Sequence, residues 1–265
     1  MTQQARQESS PRGSQLSVKD VGRTVRSFYR ACAQMTSNPV PDSPAPFGYK
    51  ICWLAVLSTD GAAIAEAVGL VEPQRSTWAQ GVQAAYDGAV FVAPPVGGWT
   101  LVVGDAVVPG VEHADGPWRA MLVALSKRFG VVQFFATHRV VELHARACAR
   151  DGVVKRAYGY VGESGETLFD DGVQTPEEVG LGFRFFDDNS PEAEDDAYWE
   201  REDLSYPDEK SVMALARRWS ISPVDLSASS AEPMLGLVGP MRSFGKVRPS
   251  EDASRQARKP WWRFW

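Results

Sequence analysis

The longest apolar window of the chain, residues 89–108, is cut by Pro94-Pro95, by Gly97-Gly98 and by Asp105. In lipid those breaks would strand backbone groups without partners, so the window is not a membrane span. Two strands joined by a PPVGG turn account for it. The same punctuation recurs along the sequence: short elements, each stopped by glycine or proline.

Residues 49–58, 89–93, 99–108, 131–136, 153–161 and 181–186 have the apolar runs or alternation of strands. Between them, residues 62–70, 77–88 and 118–130 carry apolar residues at helical spacing and close at Gly69, Gly88 and Gly130. The segment 139–152 is rich in alanine and is expected to be a helix with Val140, Val141, His144 and Cys148 inward, ending at Asp151-Gly152. In 175–180, Thr175 caps a turn with Pro176 at its first position and two acids behind it. Further helices are expected at 17–35 and 207–220. Strands alternating with short helices imply an α+β fold: two layers, with a mixed, largely antiparallel sheet packed against short helices.

Composition divides the chain further. Residues 1–15 are polar and are expected to be a disordered tail; residues 16–186 form the core domain. The stretch 187–206 is an acidic loop, with nine acids between Asp187 and Asp203 against one base, Arg201. Residues 207–241 are expected to be a helical extension packed on the core, and residues 242–265 a basic, flexible tail ending in PWWRFW. The net charge of −5 averages these segments and argues against a dedicated nucleic-acid binder. Three cysteines are too few for a disulfide framework, which favours a cytoplasmic location. No apolar run follows the N-terminal bases, so no signal peptide is expected.

Motifs that carry chemistry are sparse. Gly239 to Lys246 imitates a phosphate loop but has five residues between its glycines, and Val247 stands where a hydroxyl is required. Residues 162–166 approach a nucleophile elbow, but Glu166 takes the place of its last glycine. No cofactor and no metal site is expected. His138, Glu142 and His144 form the only local cluster in the sequence able to do acid–base or metal chemistry. On a helix His138 and Glu142 share a face, and Cys148, flanked by Arg146 and Arg150, is the nearest nucleophile. A hydrolase-like enzyme using His138, Glu142 and Cys148 is therefore one alternative, although packing explains those residues as well.

Partner binding has two candidate surfaces. The acidic loop offers Glu192, Glu194, Asp195, Asp196, Tyr198 and Trp199 to a basic protein, where carboxylates would accelerate encounter. The tail offers Trp261, Trp262, Phe264 and Trp265. These can fold back, dock in a partner's groove, or touch an anionic membrane surface weakly beside Arg255, Arg258 and Lys259. An adaptor recruited through this tail is a further alternative.

The segment FGVVQFFATHRVVELHARACARDGVVKRAYGYVGESGET, the later TPEE, and the earlier GWTLVVG and LSKRFG together resemble immunity proteins of bacterial polymorphic toxin systems. The likeness spans residues 49–186 and carries no catalytic motif. It implies a cytoplasmic α+β protein that binds and neutralises a cognate toxin, and this is the leading expectation for the chain.

Overall fold

The computed structural model describes residues 39–242. The expected helix at 17–35 and the tail from residue 243 lie outside them. Nine strands form one sheet: β1 (Ile51–Val56), β2 (Gln74–Ser76), β3 (Val90–Val92), β4 (Thr100–Val103), β5 (Val131–His138), β6 (Leu143–Arg150), β7 (Val153–Val161), β8 (Glu166–Asp171) and β9 (Gly236–Gly239). Their order is β2-β9-β3-β4-β1-β5-β6-β7-β8. Every pairing of named strands is antiparallel. The α+β class and the antiparallel sheet packed with short helices agree with the sequence pattern. No helix among the described residues is long and apolar enough to cross a membrane.

Central strand β1 has both neighbours and is buried along its whole length, which is why it is a continuous apolar run rather than an alternating one. Its Cys52, Leu54 and Val56 face α1 (Gly61–Val68) and α3 (Pro117–Phe129), in one cluster with Trp118, Leu122, Leu125 and Phe134. Each such apolar side chain contributes roughly 1.5–3 kcal/mol relative to exposure. Trp53 points the other way, stacked on Phe135 with ring centroids 5.2 Å apart. That face is covered by α2 (Trp78–Tyr86), whose Trp78 meets Phe91 edge-on, and by α6 (Glu209–Trp219), whose Trp219 packs on Phe135. Two shorter helices, α4 (Pro176–Gly180) and α5 (Asp196–Trp199), lie between α3 and α6 in the chain.

Three expectations are corrected. Residues 139–152 are not a helix: β6 occupies Leu143–Arg150, and Val140 is exposed. The decisive pattern is period two. Ala145, Ala147 and Ala149 sit fully buried on the face where α3 comes close, while His144, Arg146 and Cys148 point to the other face. Asp151-Gly152 does not end a helix but forms a two-residue hairpin loop with φ of 50° and 79°. Positive φ at both positions is what a type I′ turn demands, and Asp-Gly is a strong signal for it. Residues 181–186 form no strand. Gly182, at φ 71°, turns the chain across the sheet face, and the edge is taken by β8 instead. The extension after 207 is also more than helical, since it returns β9 to the sheet between β2 and β3.

Candidate functional site

The β4-β1-β5 pairing builds a cleft at one end of the α3-side face. The Gly104 N–H donates to the Cys52 carbonyl at 2.9 Å, extending the β1–β4 ladder by one bond. Gly104 has φ 140°, and a Cβ there would lie 2.5 Å from the Ala89 carbonyl oxygen, so only glycine fits. The turn after it sets Asp105 over Cys52, whose N–H donates to Oδ1 at 3.2 Å. From the other side β5 brings His138, with Nε2 3.7 Å from the Cys52 Sγ and 3.4 Å from Asp105 Oδ1. The three open on a cleft of about 580 Å³ walled also by Pro109, Glu112 and Val141. Burial, then Asp105, holds the Cys52 thiol well above its ordinary range.

This is not a nucleophile relay. In such a relay the imidazole takes the nucleophile's proton on one nitrogen and is oriented through the other. Here sulfur and carboxylate both address Nε2. Nor does the structure bring together His138, Glu142 and Cys148. Glu142 sits in the β5–β6 turn at φ 52°, with its carboxylate over Gly162. Cys148 lies on the opposite face of the sheet from His138, and burial pushes its thiol up to about 11, the reverse of an activated nucleophile. His144 is sealed beneath α6, where burial lowers it to about 4.

The opposite face holds a buried charge network that local motifs did not reveal. Glu178 closes a capping box with Thr175, each side chain meeting the other's backbone N–H. Its carboxylate also accepts from Arg146 at 3.0 Å and from Arg156 at 3.0 Å, all three side chains being essentially unexposed. Arg156 reaches outward to Asp170 and to the Asp171 and Gly172 carbonyls. The rings of Tyr158, Phe183 and Phe185 enclose the Arg146 guanidinium at 4.4–5.3 Å, the cation–π surroundings of a charge whose Nη1 has no hydrogen bond.

Beside this network lies the acidic segment. It folds as a 3-10 turn (Pro191–Glu194) and then α5. Phe186 anchors it, with Trp199 stacked at 5.5 Å, Tyr198 edge-on at 5.6 Å and Tyr206 at 4.8 Å. Tyr198 is buried, and its hydroxyl takes the Asp187 N–H at 2.7 Å, so it supports the surface rather than presenting itself. Trp199 and Tyr206 are exposed at 38% and 53%, which leaves two aromatic faces beside the carboxylates. Arg201 pairs with Glu192 and Asp203, and holds Asp203 down to about 2. Asp195 caps α5. Glu194, Asp196, Glu200 and Glu202 have no ion pair among the described residues, and all four are exposed. Trp261, Trp262, Phe264 and Trp265 lie outside the described residues.

Sequence reasoning missed Cys52, Asp105 and Tyr206 as site residues. Cys52 and His138 are 86 positions apart, and only strand pairing joins them. Comparison of the chain with family models, with curated proteins and with solved structures gave no match.

Proposed function

We propose that this chain is a cytoplasmic, non-catalytic binding protein of the immunity type, which neutralises a cognate toxin by docking its acidic ledge on a basic surface. The observation that carries this is that exposed Trp199 and Tyr206 lie beside the carboxylates of Glu194, Asp196, Glu200 and Glu202, which form no ion pair among the described residues. Tryptophan and tyrosine dominate interface energetics, and they are held here by stacking on Phe186, so little side-chain freedom is lost on docking. Carboxylates around them raise the encounter rate and disfavour acidic partners. Their backbone is fixed by Asp195 and Ser190 caps, and by a Trp199 Nε1 bond to the Ala193 carbonyl at 2.9 Å.

Catalysis by nucleophile and base finds less support, since His138, Glu142 and Cys148 occupy three separate places. The test is protection. Cells producing the toxin encoded beside this chain's gene should survive when the chain is co-expressed, and should lose protection when Trp199 and Tyr206 are both changed to alanine. Failure of the wild-type chain to protect against, or to co-purify with, that toxin would overturn the proposal.

A further inference from the structure

We propose that Cys52, Asp105 and His138 form a binding site for a single zinc-class divalent cation, with an open coordination position facing the cleft. Their donor atoms, one thiol sulfur, one imidazole nitrogen and one carboxylate oxygen, all lie within 4.8 Å of one another. Zinc binds these donors at about 2.3 Å for sulfur and about 2.0–2.2 Å for nitrogen and oxygen, with tetrahedral angles. Those lengths place sulfur about 3.6 Å from nitrogen and nitrogen about 3.4 Å from oxygen. The observed separations are 3.7 Å and 3.4 Å.

An ordinary His–Asp ion pair does not require a thiol at the same nitrogen. Sulfur and oxygen converge on Nε2, and the thiol also meets the Asp105 carboxylate, so the three donors surround one point that a shared ion would occupy. The mixed sulfur, nitrogen and oxygen set suits zinc and its spectroscopic substitute cobalt, whereas magnesium or calcium would require oxygen donors throughout. The supports around the ligands are also in place. Asp105 is oriented by the Cys52 N–H, and the Gly104 backbone bond fixes the turn that carries it. Three protein ligands leave a fourth tetrahedral position, and the cleft of about 580 Å³, with Glu112 on its wall, gives a water or small anion access to it.

The experiment uses the reduced full-length chain, stripped with a chelator and then titrated separately with zinc and with cobalt. One equivalent of cobalt should bind with a thiolate-to-cobalt charge-transfer band in the near ultraviolet. That band should vanish in Cys52→Ser and persist in Cys148→Ser and Cys32→Ser. His138→Gln and Asp105→Asn change partly exposed side chains, so they retain the fold, and each should weaken zinc binding at least tenfold. The proposal is overturned if the wild-type chain gives no such band, if the band survives in Cys52→Ser, or if both other variants bind zinc as tightly as the wild type.

Discussion

Arg146 and Glu178 form an ion pair, 3.0 Å long, in which neither side chain has any exposure to solvent. Arg156 shares the same carboxylate and also pairs with Asp170, so Glu178 is the only carboxylate on Arg146 among the described residues and one of two on Arg156. Removing the acid leaves Arg146 in a low-dielectric interior with its desolvation cost no longer offset, while Arg156 keeps Asp170. Glu178→Gln should therefore lower unfolding free energy by about 3–5 kcal/mol. Neighbouring Glu177→Gln should cost under about 1 kcal/mol, since it removes only a helix-dipole interaction. Urea denaturation of the two variants checks the contrast, and equal midpoints would refute it.

His144 makes stability depend on pH. Burial lowers its folded-state pKa to about 4, against an ordinary value of 6.5; Glu209 and Asp208 pull it upward, while His138 and Arg146 oppose protonation. Between these values the unfolded chain binds more protons than the folded one, so stability rises with pH across the window and falls on acidification. The shift corresponds to about 3 kcal/mol lost between pH 6.5 and pH 4. In His144→Gln that part of the slope should be absent from urea midpoints measured over the same range.

Gly104 joins fold and cleft. With φ 140° and the Ala89 carbonyl 2.5 Å from any Cβ, Gly104→Ala should destabilise the protein by roughly 2–4 kcal/mol through backbone strain and overlap. Gly97→Ala offers a comparison. It too has positive φ, but nothing lies within 4 Å, so its cost should be smaller by the steric part. Thermal unfolding of the pair separates the two contributions.

The acidic ledge divides into support and contact. Tyr198→Ala removes a buried ring and its bond to Asp187, and should cost about 3–5 kcal/mol of stability. Trp199→Ala should cost the fold about 1 kcal/mol while weakening the proposed toxin complex by about 2 kcal/mol. Melting curves and titration calorimetry on both variants test the split; the opposite ranking would contradict it.

What the sequence reveals of this molecule depends on the range of the interactions. Helices α1, α2, α3 and α6 are readable because their caps and apolar stripes are local: Asp60 and Thr77 cap, and Gly69 closes in the left-handed region. The Thr175–Glu178 capping box is half visible, as a cap and a pair of acids, but nothing in TPEE shows that Glu178 also meets Arg146, 32 residues away. Strand β6 reads as a helix because alanine favours helices intrinsically, whereas here it permits the close approach of α3. The Cys52, Asp105 and His138 cluster exists only through register: Cys52 is opposite Ala136 in β5, and the bond to Gly104 places Asp105 beside it. No spacing rule contains that information. The acidic run is visible as charge, but only the ring packing on Phe186 shows which aromatic is buried and which is offered.

The most direct test of docking through the acidic ledge is the association rate with the proposed cognate toxin, measured at low and high salt. The wild-type chain is compared with a variant carrying Glu194→Gln, Asp196→Asn, Glu200→Gln and Glu202→Gln. These side chains form no ion pair among the described residues, so the variant should melt as the wild type does. At low salt its association should be slower by about tenfold or more, with dissociation little changed, and high salt should erase the difference. Equal association rates at low salt, or no complex with the wild-type chain, would contradict the account.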